Sequence, residues 1–308
     1  MGKIAFVFPG QGAQAVGMGK DAYESSPVAK ATYDRADEAL GYSISKLSFE
    51  GPEEELRQTA NTQPALLATS VALLEMYKER GLKPDYVAGH SLGEYSALVA
   101  AGVLEFSDAV KLVRARGLYM EQAVPGGQGA MAAVLGAERA ALQALCADIT
   151  AAGTIVELAN VNCPGQIVVS GSADGVAAVV ERGKEAGAKR VIPLDVSGPF
   201  HSSLMQPAAD KLAEALAQAE FRDAAVPVVA NVHAKPVTSG AELRELLVKQ
   251  VVSPVQWEDT IAYLIEQGVD TFVEIGSGTV LAGLIKKIDK SVRIVSVNSA
   301  EAASAAAE

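Results

Sequence analysis

Cysteine and histidine are scarce in this 308-residue chain, with two of the first, Cys146 and Cys163, and three of the second, His90, His201 and His233. Two cysteines without CxxC spacing build neither a disulfide framework nor a thiolate zinc site, and they read as ordinary buried thiols. Three dispersed histidines leave a histidine-rich metal centre hard to assemble. No stretch approaches the ~18 consecutive apolar residues of a membrane span, and the run from Ile4 to Phe8 is too short and too thinly charged for a signal peptide. Basic residues are also in deficit, 26 against 37 acidic, for a formal net charge of −11. Such a chain repels phosphate backbones, which argues against a general nucleic-acid role and means that any anionic ligand needs a local basic site. The expectation is a soluble cytoplasmic protein that engages neither nucleic acid nor membrane. What is abundant is apolar surface: 49% of residues are hydrophobic and only 20% charged. That suffices for one large core, or a core with a satellite domain.

Periodicity and turn residues predict an α/β protein. Lys3 to Phe8 is a compact strand stopped by Pro9-Gly10. Pro64 to Arg80 has helical spacing, Gly81 and Pro84 end it, and Tyr86 to Ala88 is a second short buried strand. From Gly129 the rhythm changes to strand (130–135), helix (138–151), two strands (155–161 and 166–170), helix (175–187) and strand (190–194). That βαββαβ order is the ferredoxin-like pattern. After Ser197 the first rhythm resumes, with a helix over 204–220, a strand over 226–232, two helices, a strand over 271–275, a helix and a last strand over 292–297. The expected division is a large domain from 1–126 and 197–308 with a small domain, 127–196, inserted into it. The glycine-proline segments at 125–127 and 197–199 are the joints. The alanine-rich tail, 301–308, shows no apolar face and is expected to fray.

Two glycine signals compete for the chemistry. Gly10-Gln11-Gly12-Ala13-Gln14-Ala15 follows a strand and formally fits a dinucleotide fingerprint, but Pro9 intrudes at the turn and no second strand ending in an acid follows at the right distance. Gly89-His90-Ser91-Leu92-Gly93 is a GxSxG between a strand and a helix, the setting of a nucleophile elbow. There the Ser91 hydroxyl stands at a helix N-terminus, where the dipole and the Leu92 amide can stabilise an oxyanion. An ordinary β-turn-α joint with a capping serine has the same sequence. A serine needs a base, and His201, in Gly198-Pro199-Phe200-His201-Ser202, is the best placed of the three histidines. His90 adjoins Ser91 and should point away from its pocket, and His233 reads as a surface loop residue. The group that orients His201 is open at this point: Asp195 and a backbone carbonyl both qualify. Arg116 lies on the following helix among apolar neighbours, beside Gly117, which leaves it room; Arg114 and Lys111 suit solvent. A buried arginine needs a partner, either a remote carboxylate or an anionic ligand held bidentately.

These residues, taken together, resemble a known family. Phe6-Val7-Phe8-Pro9-Gly10-Gln11-Gly12-Ala13-Gln14, Gly89-His90-Ser91-Leu92-Gly93-Glu94, Arg116, Ala159 to Gln166, Pro199-Phe200-His201-Ser202, Gln250, Glu274 to Gly278 and Leu281 to Leu284 are similar to the malonyl-CoA:acyl carrier protein transacylases of bacterial fatty acid synthesis. The likeness runs the whole length of the chain, and the set is specific where any one motif is not. It implies an α/β-hydrolase-like large domain with an inserted ferredoxin-like small domain. Carried over by the resemblance, Ser91 is the nucleophile and His201 its base. The amides of Gln11 and Leu92 form the oxyanion hole, and the Gln250 main-chain carbonyl orients His201, so Asp195 falls to a structural role. Arg116 pairs with the malonyl carboxylate, Asn160 and Asn162 line the gorge, and Phe200 crowds an α-methyl branch.

The resemblance further implies a ping-pong transfer from malonyl-CoA to the phosphopantetheine thiol of acyl carrier protein through a malonyl ester on Ser91, without metal or redox cofactor. Acyl carrier proteins are acidic, so docking on this acidic chain calls for a local basic patch. Lys189, Arg190, Lys286 and Lys287 are candidates; ordinary solvated charges look no different in sequence. Rival readings are a transacylase for methylmalonyl or acetyl groups, which the pair Arg116 and Phe200 opposes by charge and bulk, a serine esterase or thioesterase on the same elbow, and a non-catalytic docking module.

Overall fold

The computed structural model describes residues 2–305. It bears out the α/β class: among the described residues eleven strands form two mixed sheets, with helices between and around them. The strands are β1 (Lys3–Phe8), β2 (Tyr86–Gly89), β3 (Gly129–Leu135), β4 (Val156–Cys163), β5 (Gln166–Ser172), β6 (Arg190–Pro193), β7 (Val228–Val229), β8 (Pro236–Val237), β9 (Val255–Gln256), β10 (Val269–Ile275) and β11 (Arg293–Val297). The larger sheet has the order β11-β10-β1-β2-β7-β8. Its strands from β11 to β7 run parallel, and β8 turns back antiparallel on β7. Parallel strands buried on both faces should be apolar throughout, and β1 shows it. Phe6 and Phe8 enter one core with the helices Thr59–Lys78 and Phe106–Gln122, while Ala5 and Val7 face the other with Trp257 and Ile261.

The second sheet has the order β6-β3-β5-β4-β9. β3 to β6 are mutually antiparallel and carry the helices Arg139–Ala151 and Ala173–Arg182, with their own apolar cluster around Leu142, Ile149, Val169 and Val179. The sheet does not end with the 127–196 segment: β9, contributed by 255–256, adds parallel to β4. Residues from beyond the second joint are therefore hydrogen-bonded into the smaller sheet.

Several local expectations are corrected. The helix expected from Pro64 begins at Thr59 and carries Pro64 within it. It forgoes one backbone hydrogen bond there because its face is buried along nearly its whole length. The strand expected over 226–232 shrinks to two residues, since the chain leaves the sheet at Ala230 and turns Asn231 toward β2. Helix 175–187 becomes Ala173–Arg182 followed by a 3₁₀ turn, Gly183–Ala186. The tail does not fray through 305: Ala300–Ser304 is a helix capped by Ser299, and Ala303 is fully buried; 306–308 lie outside the described residues. Gly117 does not make room for Arg116. A Cβ there would lie 2.7 Å from the Ala60 Cα, so its role is the close crossing of two helices. Among the described residues no helix is long and apolar enough to cross a membrane.

Candidate active site

Parallel strands deliver their carboxyl ends to one edge of the sheet, and the loops that follow β1, β2 and β7 meet there. β1 ends in Pro9-Gly10-Gln11, β2 runs into the Gly89 to Gly93 turn, and β7 leads to Asn231. The turn closes so tightly that side chains have no space. A Cβ on Gly89 would sit 1.9 Å from the Gly93 carbonyl, one on Gly93 2.1 Å from the Phe8 oxygen, and one on Gly10 2.2 Å from the His90 oxygen. Ser91 is held at φ 52°, a left-handed conformation that a non-glycine residue adopts only under constraint. Asn231 supplies that constraint, accepting from the Ser91 amide at 2.8 Å and donating to the Gly89 carbonyl at 2.6 Å. Helix Gly93–Ala100 starts immediately afterwards, so the Leu92 amide belongs to its first turn, where amides lack an intrahelical acceptor.

The Ser91 hydroxyl lies 2.7 Å from His201 Nε2, and His201 Nδ1 lies 2.9 Å from the Gln250 carbonyl oxygen. A carbonyl only accepts, so Nδ1 carries the proton, and Nε2 is left to receive the one donated by Ser91. His201 is also at positive φ, 57°, which turns its ring back toward the elbow. Burial, and then the Arg116 charge, push its pKa down to about 3. The imidazole is therefore neutral, in the form that can accept a proton.

Arg116 is 1% exposed. It donates from Nη1 to Gln63 Oε1 at 2.8 Å, and from Nη2 to Gln250 Oε1 at 2.8 Å and to Ser91 Oγ at 3.1 Å. Its guanidinium carbon stands 5.5 Å from the centre of the Tyr95 ring. Neither a remote salt bridge nor open space explains it: all three acceptors are neutral. The resemblance assigns Arg116 to the far carboxylate of a three-carbon acyl group on Ser91, which calls for a hydroxyl and a guanidinium about that span apart in one cleft. They are instead in direct contact, with Arg116 behind Ser91 and off the cleft wall.

The cleft itself has a volume of about 250 Å³ and is walled by Gln11, Ser91, His201, Asn160, Asn162 and Phe200 among others. β4 brings Asn160 and Asn162 to it from the smaller sheet, and Asn162 Oδ1 meets His90 Nε2 at 2.8 Å. His90 thus reaches across to the other sheet, its ring against Trp257, and it lines the same cleft as Ser91, whereas the sequence reading points it away from that pocket. A wider groove of about 720 Å³, between helix Arg139–Ala151 and Ser253-Pro254, reaches His201 without reaching Ser91. Asp195 is exposed, 3.4 Å from Arg57, and His233 accepts from the Lys235 amide beside it. Cys146 and Cys163 are buried free thiols, and no group of metal-ligating side chains occurs among the described residues.

Three participants were not singled out from sequence: Gln63, Asn231 and Glu94. Glu94 carried a signal, being a lone carboxylate in the otherwise uncharged helix Gly93–Ala100. It is 1% exposed, accepts from Gln250 Nε2 at 2.7 Å and from the Asn231 amide at 3.4 Å, and burial raises its pKa to about 7. Arg114, expected in solvent, is half-buried and donates to Asn61 at 2.6 Å over the Tyr42 ring.

Comparison with known proteins matches residues 5–306 to the acyl transferase domain family. The malonyl CoA-acyl carrier protein transacylase of Bacillus subtilis is 56% identical over 301 residues, covering 98% of this chain and 95% of that one. The crystal structure of an acyl carrier protein S-malonyltransferase from Vibrio cholerae superimposes with a TM-score of 0.94 at 49% identity, over 96% of this chain and 97% of that one. A malonyl-transacylase solved in complex with a type II PKS acyl-carrier protein has a TM-score of 0.94 and 45% identity, over 98% and 97% of the two chains.

Proposed function

The chain belongs to the acyl transferase domain family, and from that premise we propose that it moves the malonyl group of malonyl-CoA to the phosphopantetheine thiol of acyl carrier protein through an ester on Ser91. One observation carries this reading: a single hydroxyl is hydrogen-bonded both to a neutral imidazole and to a buried guanidinium. The first makes a nucleophile, and the second provides for an acyl group that ends in a carboxylate.

Ser91 Oγ attacks the thioester carbonyl while His201 Nε2 takes its proton, and the Gln250 carbonyl steadies the imidazolium through Nδ1–H. The oxyanion is met by the Leu92 amide and by the Gln11 amide opposite it. Collapse expels the CoA thiol with the proton from His201, leaving the ester. The carrier thiol then repeats the steps in the opposite sense. Two carbon-carbon bonds of ~1.5 Å separate the ester carbonyl from the acyl carboxylate, so the carboxylate has to enter between Ser91 and Arg116. It takes over the donors now given to the hydroxyl and to the glutamines. Phe200, buried on the cleft wall, leaves little room for a branch at the intervening carbon. On this reading no metal or redox group takes part, and the reaction suits the cytoplasm.

The architecture is read in the same terms. The larger sheet, with its elbow after β2, is α/β-hydrolase-like, and β3 to β6 with their two helices form a ferredoxin-like insertion. We place the divisions at 1–126 with 197–308, and 127–196. Carrier docking is assigned to Lys189, Arg190, Lys286 and Lys287, all exposed. Two backbone hydrogen bonds, Lys189 to Leu135 and Gly136 to Gly165, and one between side chains support a shared rim: Lys287 Nζ donates at 3.4 Å to Gln166, which lines the cleft beside the half-exposed Val280.

Intact-mass analysis after mixing with malonyl-CoA tests the proposal. A malonyl adduct that Ser91→Ala lacks, and that is discharged by the carrier faster than by water, is expected. Steady release of free malonate without an acceptor would establish a hydrolase instead.

A further inference from the structure

Glu94 and Arg116 are both fully buried, and one side-chain amide bridges them. Gln250 Oε1 accepts from Arg116 Nη2 at 2.8 Å, and Gln250 Nε2 donates to Glu94 Oε2 at 2.7 Å. The amide is held in this sense by the Ser91 carbonyl, 3.0 Å from the same Nε2. Glu94 Oε1 has no hydrogen-bond partner, so it is a buried oxygen ready to carry a proton. In the free protein above pH 7, where Glu94 is ionised, the two charges balance across the amide. An acyl carboxylate arriving at Arg116 makes the site one positive and two negative charges, and a net charge in a dry interior is costly.

We propose that Glu94 surrenders its negative charge when the acyl carboxylate reaches Arg116, so that loading of a dicarboxylic acyl group draws one proton into the protein. The inference rests on the transacylase reading and adds a group that touches neither acyl carbon nor thiol. Glu94 acts through Gln250 and Arg116, as a positioning residue and countercharge.

The surroundings leave Glu94 as the group that must respond. Helix Phe106–Gln122 presents Arg116, whose charge persists in proteins. In its own helix the Tyr95 hydroxyl is pushed up by burial and stays neutral. Helix Gly240–Gln250 presents Gln250, and the chain after β7 presents Asn231. His201, beyond Ser91, is held far below neutrality, and His90 turns away to Asn162. The buried faces of β1, β2 and helix Thr59–Lys78 bring no Asp, Glu, Lys, Arg or His. Burial already raises Glu94 to about 7, and a second carboxylate nearby raises it further. Uptake is therefore absent well below pH 7, where Glu94 holds its proton in both states, and grows as pH rises above it.

The experiment is proton uptake on malonyl loading, read by calorimetry in two buffers of different ionisation enthalpy, at pH 6 and pH 8, for the parent and Glu94→Gln. The thiol exchange is proton-neutral while the CoA thiol stays protonated. The parent should take up close to none at pH 6 and approach one proton per ester at pH 8; the variant should take up none at either. The parent's KM for malonyl-CoA should rise about tenfold between pH 7.5 and 8.5, as linkage to one proton requires, and that of Glu94→Gln should stay flat. Ester formation by the parent without pH-dependent uptake overturns this inference alone, as does equal uptake by Glu94→Gln. If that variant does not fold, the parent's values at the two pH settings still decide. No malonyl ester at all on the parent overturns the transacylase reading and this inference with it.

Discussion

Replacing Arg116 by alanine removes a cation that meets three neutral acceptors, Gln63, Gln250 and Ser91, and no carboxylate by direct hydrogen bond. Glu94, one amide away across Gln250, loses its countercharge but can neutralise by taking up a proton, so the fold should persist, with water admitted to the vacated space. The loss should fall on substrate choice. A desolvated, hydrogen-bonded charge pair that loses one partner forfeits about 2 to 5 kcal/mol, equivalent at 1.4 kcal/mol per decade to about 30-fold to several thousandfold. The ratio of kcat/KM for malonyl-CoA over acetyl-CoA, measured by ester formation on Ser91, should drop by a factor in that range. His201 should also become more basic, because the Arg116 charge helps to hold its pKa down. A variant with an unaltered thermal melt and an unaltered selectivity ratio would refute the assignment of Arg116 to the acyl carboxylate.

Other outcomes follow from the same geometry. With His201 held near 3, the rate of Ser91 labelling by a neutral organophosphonate should be flat from pH 8 to pH 5 and fall only in stronger acid as the imidazole protonates; an inflection near 6.5 would show an ordinary exposed histidine. Gly89→Ala places a methyl 1.9 Å from the Gly93 backbone, and should destabilise the protein by about 3 kcal/mol or more in urea melts, since neither strand nor helix can yield without strain; a change below about 1 kcal/mol would mean the turn is loose. Reversing Lys286 and Lys287 to glutamate should raise KM for the carrier about tenfold, in line with loss of rim charges that steer association, and leave acylation by malonyl-CoA intact. Unchanged carrier kinetics would remove that patch.

The parts of the site legible in sequence are those where backbone crowding dictates residue type. Gly89, Gly93 and Gly10 pack against carbonyls at distances no side chain tolerates, so a GxSxG between strand and helix is a geometric statement. His201 stood out because there are only three histidines to weigh. The acceptor that orients it was not readable from side chains: it is a backbone carbonyl, which every residue has, and Gln250 came from resemblance. Gln63, Asn231 and Glu94 reach the site from three separate elements, and their polarity alone did not reveal what they meet. The fold was legible wherever a run was apolar enough to be a buried strand. It was misread at 226–232, where Asn231 leaves the sheet to brace the elbow, at β9, whose two residues join a sheet built elsewhere in the chain, and at the tail, where Ala303 packs without any conspicuous apolar stripe.

The most direct test is the crystal structure of the protein trapped with its acyl group on Ser91 after exposure to malonyl-CoA. The expected structure has the ester carbonyl oxygen within hydrogen-bonding distance of the Gln11 and Leu92 amides, and both carboxylate oxygens on Arg116, whose contact with the serine oxygen has opened. An acyl chain pointing into solvent, with Arg116 still seated on Gln63 and Gln250 as in the free protein, would contradict it.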